Sequence, residues 1–522
     1  MRCSMKWTSF LFALLVLASC KNKEDKKEPM EETAQTEYYK ESFRPQFHFT
    51  PEKMWMNDPN GMVYNEGIHH LFYQYYPKDI VWGPMHWGHA VSEDLIHWEH
   101  KPIALFPDEL GYIFSGSAVL DKNNSSGFGT EDNPPLVAIF TYHNAELKKA
   151  GKTNFETQGI AYSLDNGDSW TKHEDNPVIS DENSTDFRDP KVMWHEPSEK
   201  WILTLVAGDH AEFYSSKNLK EWELVGKFGK NKGAHGGVWE CPDLFKLKVD
   251  GTDEEKWILL ISINPGAPNG GSGTQYFIGD FDGNKFTTDQ TENRWIDWGT
   301  DNYAGVTFNN APNDETVFIG WMSNWTYARE TPTEKWRSAM TIPRKLGLKK
   351  IGEKYELTNY PVENLEDIIE KEKGDGTSFA VEKGGNKSFR GDFNQTDVRF
   401  RTKLKDCTFS FKNSSGESVM LSMIDEQNLF LLGRSSSGKV DFNKDFGKGT
   451  QKMPVTNLPD GEVEVRMLLD ASSVEVFINQ GQYVMTAQLF PNANYNELIV
   501  INYSDTPLEI VDFKVGRVKR VW

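Results

Sequence analysis

Cysteine is scarce in this chain: Cys3, Cys20, Cys241 and Cys407 are the only thiols in 522 residues. So few, so far apart, cannot form the framework of a disulfide-built scaffold. Neither C-x-x-C nor H-E-x-x-H occurs, so the common zinc and redox signatures are missing. His86 and His89, flanking Trp87 and Gly88, read as wall or core residues rather than metal ligands. Positive charge is also short. Lys and Arg number 57 against 77 Asp and Glu, a net charge of −20 that repels phosphate backbones and argues against a nucleic-acid partner. No long amphipathic helix can be traced, and the apolar run Phe10–Ala18 is too short to span a membrane.

What is present points to a folded, strand-rich protein. Hydrophobic content is 38% and mean hydropathy −0.60, but aromatics reach 13%, more than a disordered chain carries. Seventeen Trp, 42 Gly and 24 Pro suit short strands joined by turns, and Trp faces suit the C–H surface of a sugar. The length calls for two domains or more. Basic Arg2 and Lys6, then Phe10–Ala18, then Leu17-Ala18-Ser19-Cys20, read as an export signal over 1–20 ending in a bacterial lipobox, with Cys20 lipidated. Residues 21–43, charged and poor in apolar side chains, read as a flexible tether. The expectation is an exported, membrane-anchored lipoprotein whose membrane contact is the lipid alone.

From residue 44 onward short β-type runs alternate with Gly, Asn, Asp and Pro, among them Gly67–Tyr76, Met85–Val91, Ile113–Leu120, Leu136–Tyr142, Trp201–Gly208 and Trp257–Ile263. The fold class is all-β. A repeat marks the strand ends: Ser92 to Trp98, Ser163 to Trp170 and Ser216 to Trp222 each run strand, Ser, polar turn, Trp, with Asp282 to Phe286 as a looser copy. Repeated strand–turn–Trp units favour a β-propeller over 44–345; a β-sandwich with coincidental hairpins is the competing reading. A charged connector is expected over 346–369. Strands resume over 370–522, where the alternation in Val463-Glu464-Val465-Arg466-Met467 predicts a β-sandwich with one buried and one wet face.

Three acids stand in unusual surroundings. Asp58 lies in Trp55-Met56-Asn57-Asp58-Pro59-Asn60-Gly61, a cluster of turn formers that predicts a tight loop against aromatic walls. Asp189 lies in Arg188-Asp189-Pro190, where the guanidinium keeps it charged and suits it to positioning. Glu240, between Trp239 and Cys241, is expected to be buried and to have its pKa raised, as a general acid requires. One ionised and one protonated carboxyl is the need of glycoside hydrolysis.

Taken together, Trp55–Gly61, Arg188-Asp189-Pro190 and Glu240-Cys241 resemble the signature of glycoside hydrolase family 32, the β-fructofuranosidases (invertases, inulinases and levanases). The resemblance continues through Phe114–Ala118, Asp301–Ala304, Gly320–Trp325, Trp336-Arg337, Ser473–Asn479 and Leu489–Pro491, about residues 44–522 with gaps. It implies a five-bladed β-propeller followed by a C-terminal β-sandwich, and retention through a covalent fructosyl-enzyme. By motif match Asp58 is the nucleophile, Glu240 the acid/base and Asp189 the transition-state stabiliser. Asn57, Gln74, Trp82, Phe114, Ser115 and Arg188 line the fructose subsite, with Trp321 a weaker candidate. No metal or cofactor is implied. The expected activity is hydrolysis of terminal fructosyl residues of fructan, fructo-oligosaccharide and sucrose. An endo-acting levanase or inulinase, and a non-catalytic fructan-binding surface lipoprotein, are the alternatives.

Overall fold

The β-type runs pair as antiparallel meanders. The computed structural model describes residues 38–371 and 376–522, and these form seven sheets. Five are blades. Blade I is Met54–Asn65, Ile68–Tyr76, His86–Ser92 and Glu99–Leu105. Blade II is Tyr112–Leu120, Leu136–His143, Glu156–Ser163 and Thr171–Lys172; blade III is Phe187–His195, Lys200–Ala207, Ala211–Ser216 and Glu223–Phe228. Blade IV is Val238–Lys248, Glu255–Asn264, Gly273–Phe281 and Phe286–Thr287; blade V is Tyr303–Thr307, Val317–Met322, Arg344–Ile351 and Lys354–Pro361. The first strand of each blade packs on the first strand of the next, and that of blade V on that of blade I, so the ring closes. Trp336-Arg337 seals the closure by pairing in parallel with Met54-Trp55.

The Ser-to-Trp repeat is the turn between the third and fourth strand of a blade. In each copy the indole N–H donates to a turn carbonyl, Trp98 to Leu95, Trp170 to Gly167 and Trp222 to Leu219, at 3.0–3.1 Å. Asp282 to Phe286 occupies the same place in blade IV, with Asp282 Oδ1 accepting from the Asn284 and Lys285 amides.

The stretch Trp55–Gly61 corrects the sequence reading. It is not a loop but the middle of the innermost strand Met54–Asn65. Its turn formers are accommodated by bulges, where Met56 to Pro59 runs opposite Tyr75 to Tyr73, three steps against two. The inner strand's open side faces the propeller axis, so a Pro costs little there. Gly61, at φ +58°, lies where a Cβ would sit 2.6 Å from Trp87 and 2.7 Å from Phe72. The same three-against-two slip recurs in every blade, at Ile113/Gly116, Arg188/Lys191, Glu240/Asp243 and Tyr303/Val306. In blades III to V its first residue, Asp189, Cys241 or Ala304, is left-handed.

Below the bulges the axis is filled. Lys191 Nζ reaches Asp243 at 3.2 Å and the Thr307 carbonyl at 2.5 Å. Asn309 Nδ2 bridges the Ala118 and Val192 carbonyls.

Two domain limits also move. Arg344–Ile351 and Lys354–Pro361 are blade V strands, so the propeller runs to 361 rather than 345, and the connector shrinks to the 3-10 turn Glu363–Ile368. The lysines that marked a change of texture are the exposed face of an outer strand. The tether is shorter than 21–43, because the Tyr39 ring stacks on Trp522 at 4.6 Å and lies under the Arg44 guanidinium. The signal, Cys20 and the rest of the tether lie outside the described residues.

The remaining two sheets form the sandwich, packed through Val398, Phe400, Phe409, Leu421, Val465 and Val500. The face expected to be wet is instead covered: Leu468, Phe477 and Val484 join the propeller's core, and Arg466 is buried against Asp397. At this junction His48 lies between Asp470 (2.8 Å) and Glu475 (2.7 Å), and Arg344 joins Glu475 to Asp297. Burial alone would lower the His48 pKa, but the hydrogen bonds and charges of Asp470 and Glu475 raise it to about 9 from an ordinary 6.5. A raised histidine stabilises fully below the unfolded pKa and loses that contribution as pH rises through the folded one. Stability, and with it the melting temperature, is therefore expected to fall as pH rises from 6.5 to 9. In His48→Gln this alkaline slope flattens, which calorimetry across that range checks.

Candidate active site

The bulges of blades I to IV line one axial cavity of 730 Å³, and the Tyr303 hydroxyl of blade V donates to Glu240 at its wall. Asn57, Asp58, Gln74, Trp82, Phe114, Ser115, Arg188, Asp189 and Glu240 all line it. Trp321 does not. It is fully buried behind the wall, against Trp55, Trp325 and Tyr303, so its expected substrate contact is corrected to support of other aromatics.

Each carboxyl is held differently. Asp58 receives donors on both oxygens: Asn57 Nδ2 at 2.9 Å on Oδ1, and Ser115 Oγ at 2.8 Å on Oδ2. The Trp55 indole N–H donates to Asn57 Oδ1 at 2.8 Å, which fixes the amide so that its NH₂ meets Asp58. Asp189 Oδ2 accepts the Cys241 backbone N–H at 3.0 Å, and its own amide donates to Thr141 Oγ1. The Cys241 thiol lies 3.6 Å from both Asp58 Oδ2 and Asp189 Oδ2. Burial and the neighbouring carboxylates push that thiol well up, so it remains a donor.

Glu240 departs from the expectation of a carboxyl packed among apolar neighbours. Strand alternation buries Trp239 and Cys241 and leaves the Glu240 side chain 20% exposed, against 6% for Asp189. Arg188 Nη2 donates to its Oε1 at 2.9 Å, and the Tyr303 hydroxyl donates to Oε2. Arg188, Glu240 and Tyr303 hold equivalent positions, the last paired residue before the bulge in blades III, IV and V. The repeated bulge thus builds this chain of contacts.

The Asp58 pKa is raised, first by burial and then by the charge of Glu240, against hydrogen bonds from Asn57 and Ser115. Asp189 is pushed up as well, by burial and the charges of Glu240 and Asp58, with Arg188 opposing. Asp58 and Asp189 therefore keep a proton to higher pH than isolated carboxylates would. Arg188 also bonds Asp186 at 2.6 Å and Glu156 at 3.1 Å, and Glu156 holds His143, on which Phe114 stacks at 4.3 Å. Gln74 lines the cavity with its buried amide nitrogen unpaired, a donor kept for a ligand.

Sequence reasoning assigned no role to Tyr303, Glu156, His143, Trp325 or Arg329. Tyr303 and Trp325 lie inside segments that carried the resemblance, which was the available signal. Glu156 and His143 meet only through strand pairing in blade II and gave none.

A ligand-sized cavity on a propeller axis, with three converging carboxyls and aromatic walls, defines a glycoside hydrolase. The chain belongs to glycosyl hydrolases family 32: the family's N-terminal domain matches residues 48–361 and its C-terminal domain residues 364–516. It is 44% identical over 501 residues to the levanase of Bacillus subtilis (strain 168), covering 94% of this chain and 72% of that one. It is 42% identical over 491 residues to the extracellular exo-inulinase of Aspergillus awamori, covering 87% and 91%. The crystal structure of exo-inulinase from that organism superposes with a TM-score of 0.86, at 38% identity over 93% of this chain and all of that one. The β-fructofuranosidase of Schwanniomyces occidentalis complexed with fructosyl-erythritol gives 0.82, at 32% identity over 93% and 99%.

Proposed function

We propose that this fructosidase removes terminal β-fructosyl residues from fructans, fructo-oligosaccharides and sucrose, with retention of configuration. The observation that carries the proposal is the convergence of Asp58, Asp189 and Glu240 in one axial cavity, each with a different set of donors. Asp58, fixed by Asn57 and Ser115, attacks the anomeric carbon. Glu240 donates its proton to the leaving oxygen and then takes one from water. Asp189 holds fructosyl hydroxyls and stabilises the positive charge that develops on the ring.

The filled axis favours attack from the chain end. With Lys191, Asp243, Thr307 and Asn309 closing it beneath the carboxyls, a polymer cannot thread through, and the pocket accepts a terminus. Purified protein incubated with inulin, levan and sucrose should give free fructose from the first time point. Early oligosaccharides would establish endo action instead, and no product from any of the three would favour the binding protein.

Export and lipidation at Cys20 belong to the same proposal, resting on the basic start, the apolar run and Leu17–Cys20. Cells fed a clickable palmitate should label the wild type and not Cys20→Ser; equal labelling of both would rule out that anchor.

A further inference from the structure

The residues assigned to fructose sit on blades I to III. Glu240, which protonates the leaving oxygen, sits on blade IV. The leaving sugar must therefore lie toward blades IV and V, whose side of the cavity has no assigned role. Beside Asn264, at the end of Glu255–Asn264, that wall is one loop after Val317–Met322, contributing Trp325, Thr326, Tyr327, Arg329 and Glu330.

The loop is fastened from both sides. Arg337, part of the Trp336-Arg337 motif, donates to the Arg329 carbonyl and, at 2.7 Å, to that of Thr331. From the sandwich, Arg434 donates to the Tyr327 hydroxyl at 2.8 Å, and Asn443 to the Thr326 carbonyl at 3.3 Å and Glu330 Oε1 at 2.9 Å. Arg329 is exposed at the rim, and its guanidinium carbon lies 5.7 Å from the Trp82 ring centre and 5.9 Å from that of Trp325. Arg44, Arg188, Arg344, Arg434 and Arg466 all end on carboxylates. Arg329 ends between two indoles, a setting that leaves the donors at its edge available to hydroxyls.

We propose that Arg329 is a specificity-determining residue for the leaving group: it donates to hydroxyls of the sugar next to the scissile bond, while Trp325 offers that sugar an aromatic face. The ligand class is a neutral polyhydroxylated sugar, and the inference rests on the fructosidase reading above. Arg329→Ala and Arg329→Lys, both at an exposed position, test it. The measurements are KM and kcat on sucrose and on an inulin-type trisaccharide, with the inhibition constant of free fructose, which fills only the inner subsite. Arg329→Ala should raise KM for the trisaccharide roughly tenfold, the weight of one charge-assisted hydrogen bond. Its kcat and the fructose inhibition constant should stay within about twofold, and Arg329→Lys should recover part of the loss. Unchanged KM, or a fructose inhibition constant rising in step with KM, would overturn the assignment. A wild type that cleaves neither sugar would overturn the fructosidase reading itself, an outcome distinct from an active wild type matched by Arg329→Ala.

Discussion

Asp58→Asn should lower kcat on sucrose by at least about 10⁴-fold, the scale on which enzymes lose turnover without their nucleophile. The amide keeps the size of the side chain and still meets Ser115, so the cavity should hold its shape. Stability should not fall. Burial and the Glu240 charge raise the Asp58 pKa, so its carboxylate opposes folding above the unfolded pKa, and that penalty grows as pH rises. Removing the charge should leave the melting temperature equal or higher at neutral pH. Near-normal turnover in Asp58→Asn, or a protein that no longer folds, would contradict the role.

Glu240→Gln acts on the other half of the reaction. Without a proton donor, sucrose hydrolysis should fall about 10²–10⁴-fold. A fructoside with an acidic phenol as leaving group needs little protonation, so its first step should be largely spared and the fructosyl-enzyme should accumulate. A second effect has a definite sign. The Glu240 charge is one cause of the raised Asp58 pKa, so neutralising it should move the acid limb of the kcat/KM profile to lower pH. An acid limb that stays in place or moves upward would mean that the two carboxyls do not sense each other.

The all-β class, the propeller turns and the three acids were legible because each rests on a local pattern. Ser92–Trp98 and its copies repeat since every blade needs the same turn. Of the innermost strands, that of blade II is legible as the run Ile113–Leu120, whereas that of blade I is not. Trp55–Gly61 reads as a loop because Asn57, Pro59 and Gly61 are strand breakers, yet five-fold repetition of a bulge makes such residues the means of aiming side chains at the axis. The expectation for Glu240 failed for a related reason. Apolar neighbours in sequence lie on the opposite face of a strand, so Trp239 and Cys241 took the burial and Glu240 faced Arg188 and Tyr303. The covered face of the sandwich was hidden because Arg466 is polar in sequence but is neutralised by Asp397, a partner that only strand pairing supplies. The end of blade V was missed because its outer strands are lysine-rich on their solvent side.

In the proposed mechanism Asp58 carries the sugar during turnover. Glu240→Gln should be mixed with a fructoside bearing an activated leaving group, quenched in acid, digested and analysed by mass spectrometry. One added fructosyl unit is expected on the peptide containing Asp58, absent from Asp58→Asn/Glu240→Gln. A fructosyl unit on a different residue, or steady turnover with inversion and no adduct, would contradict it.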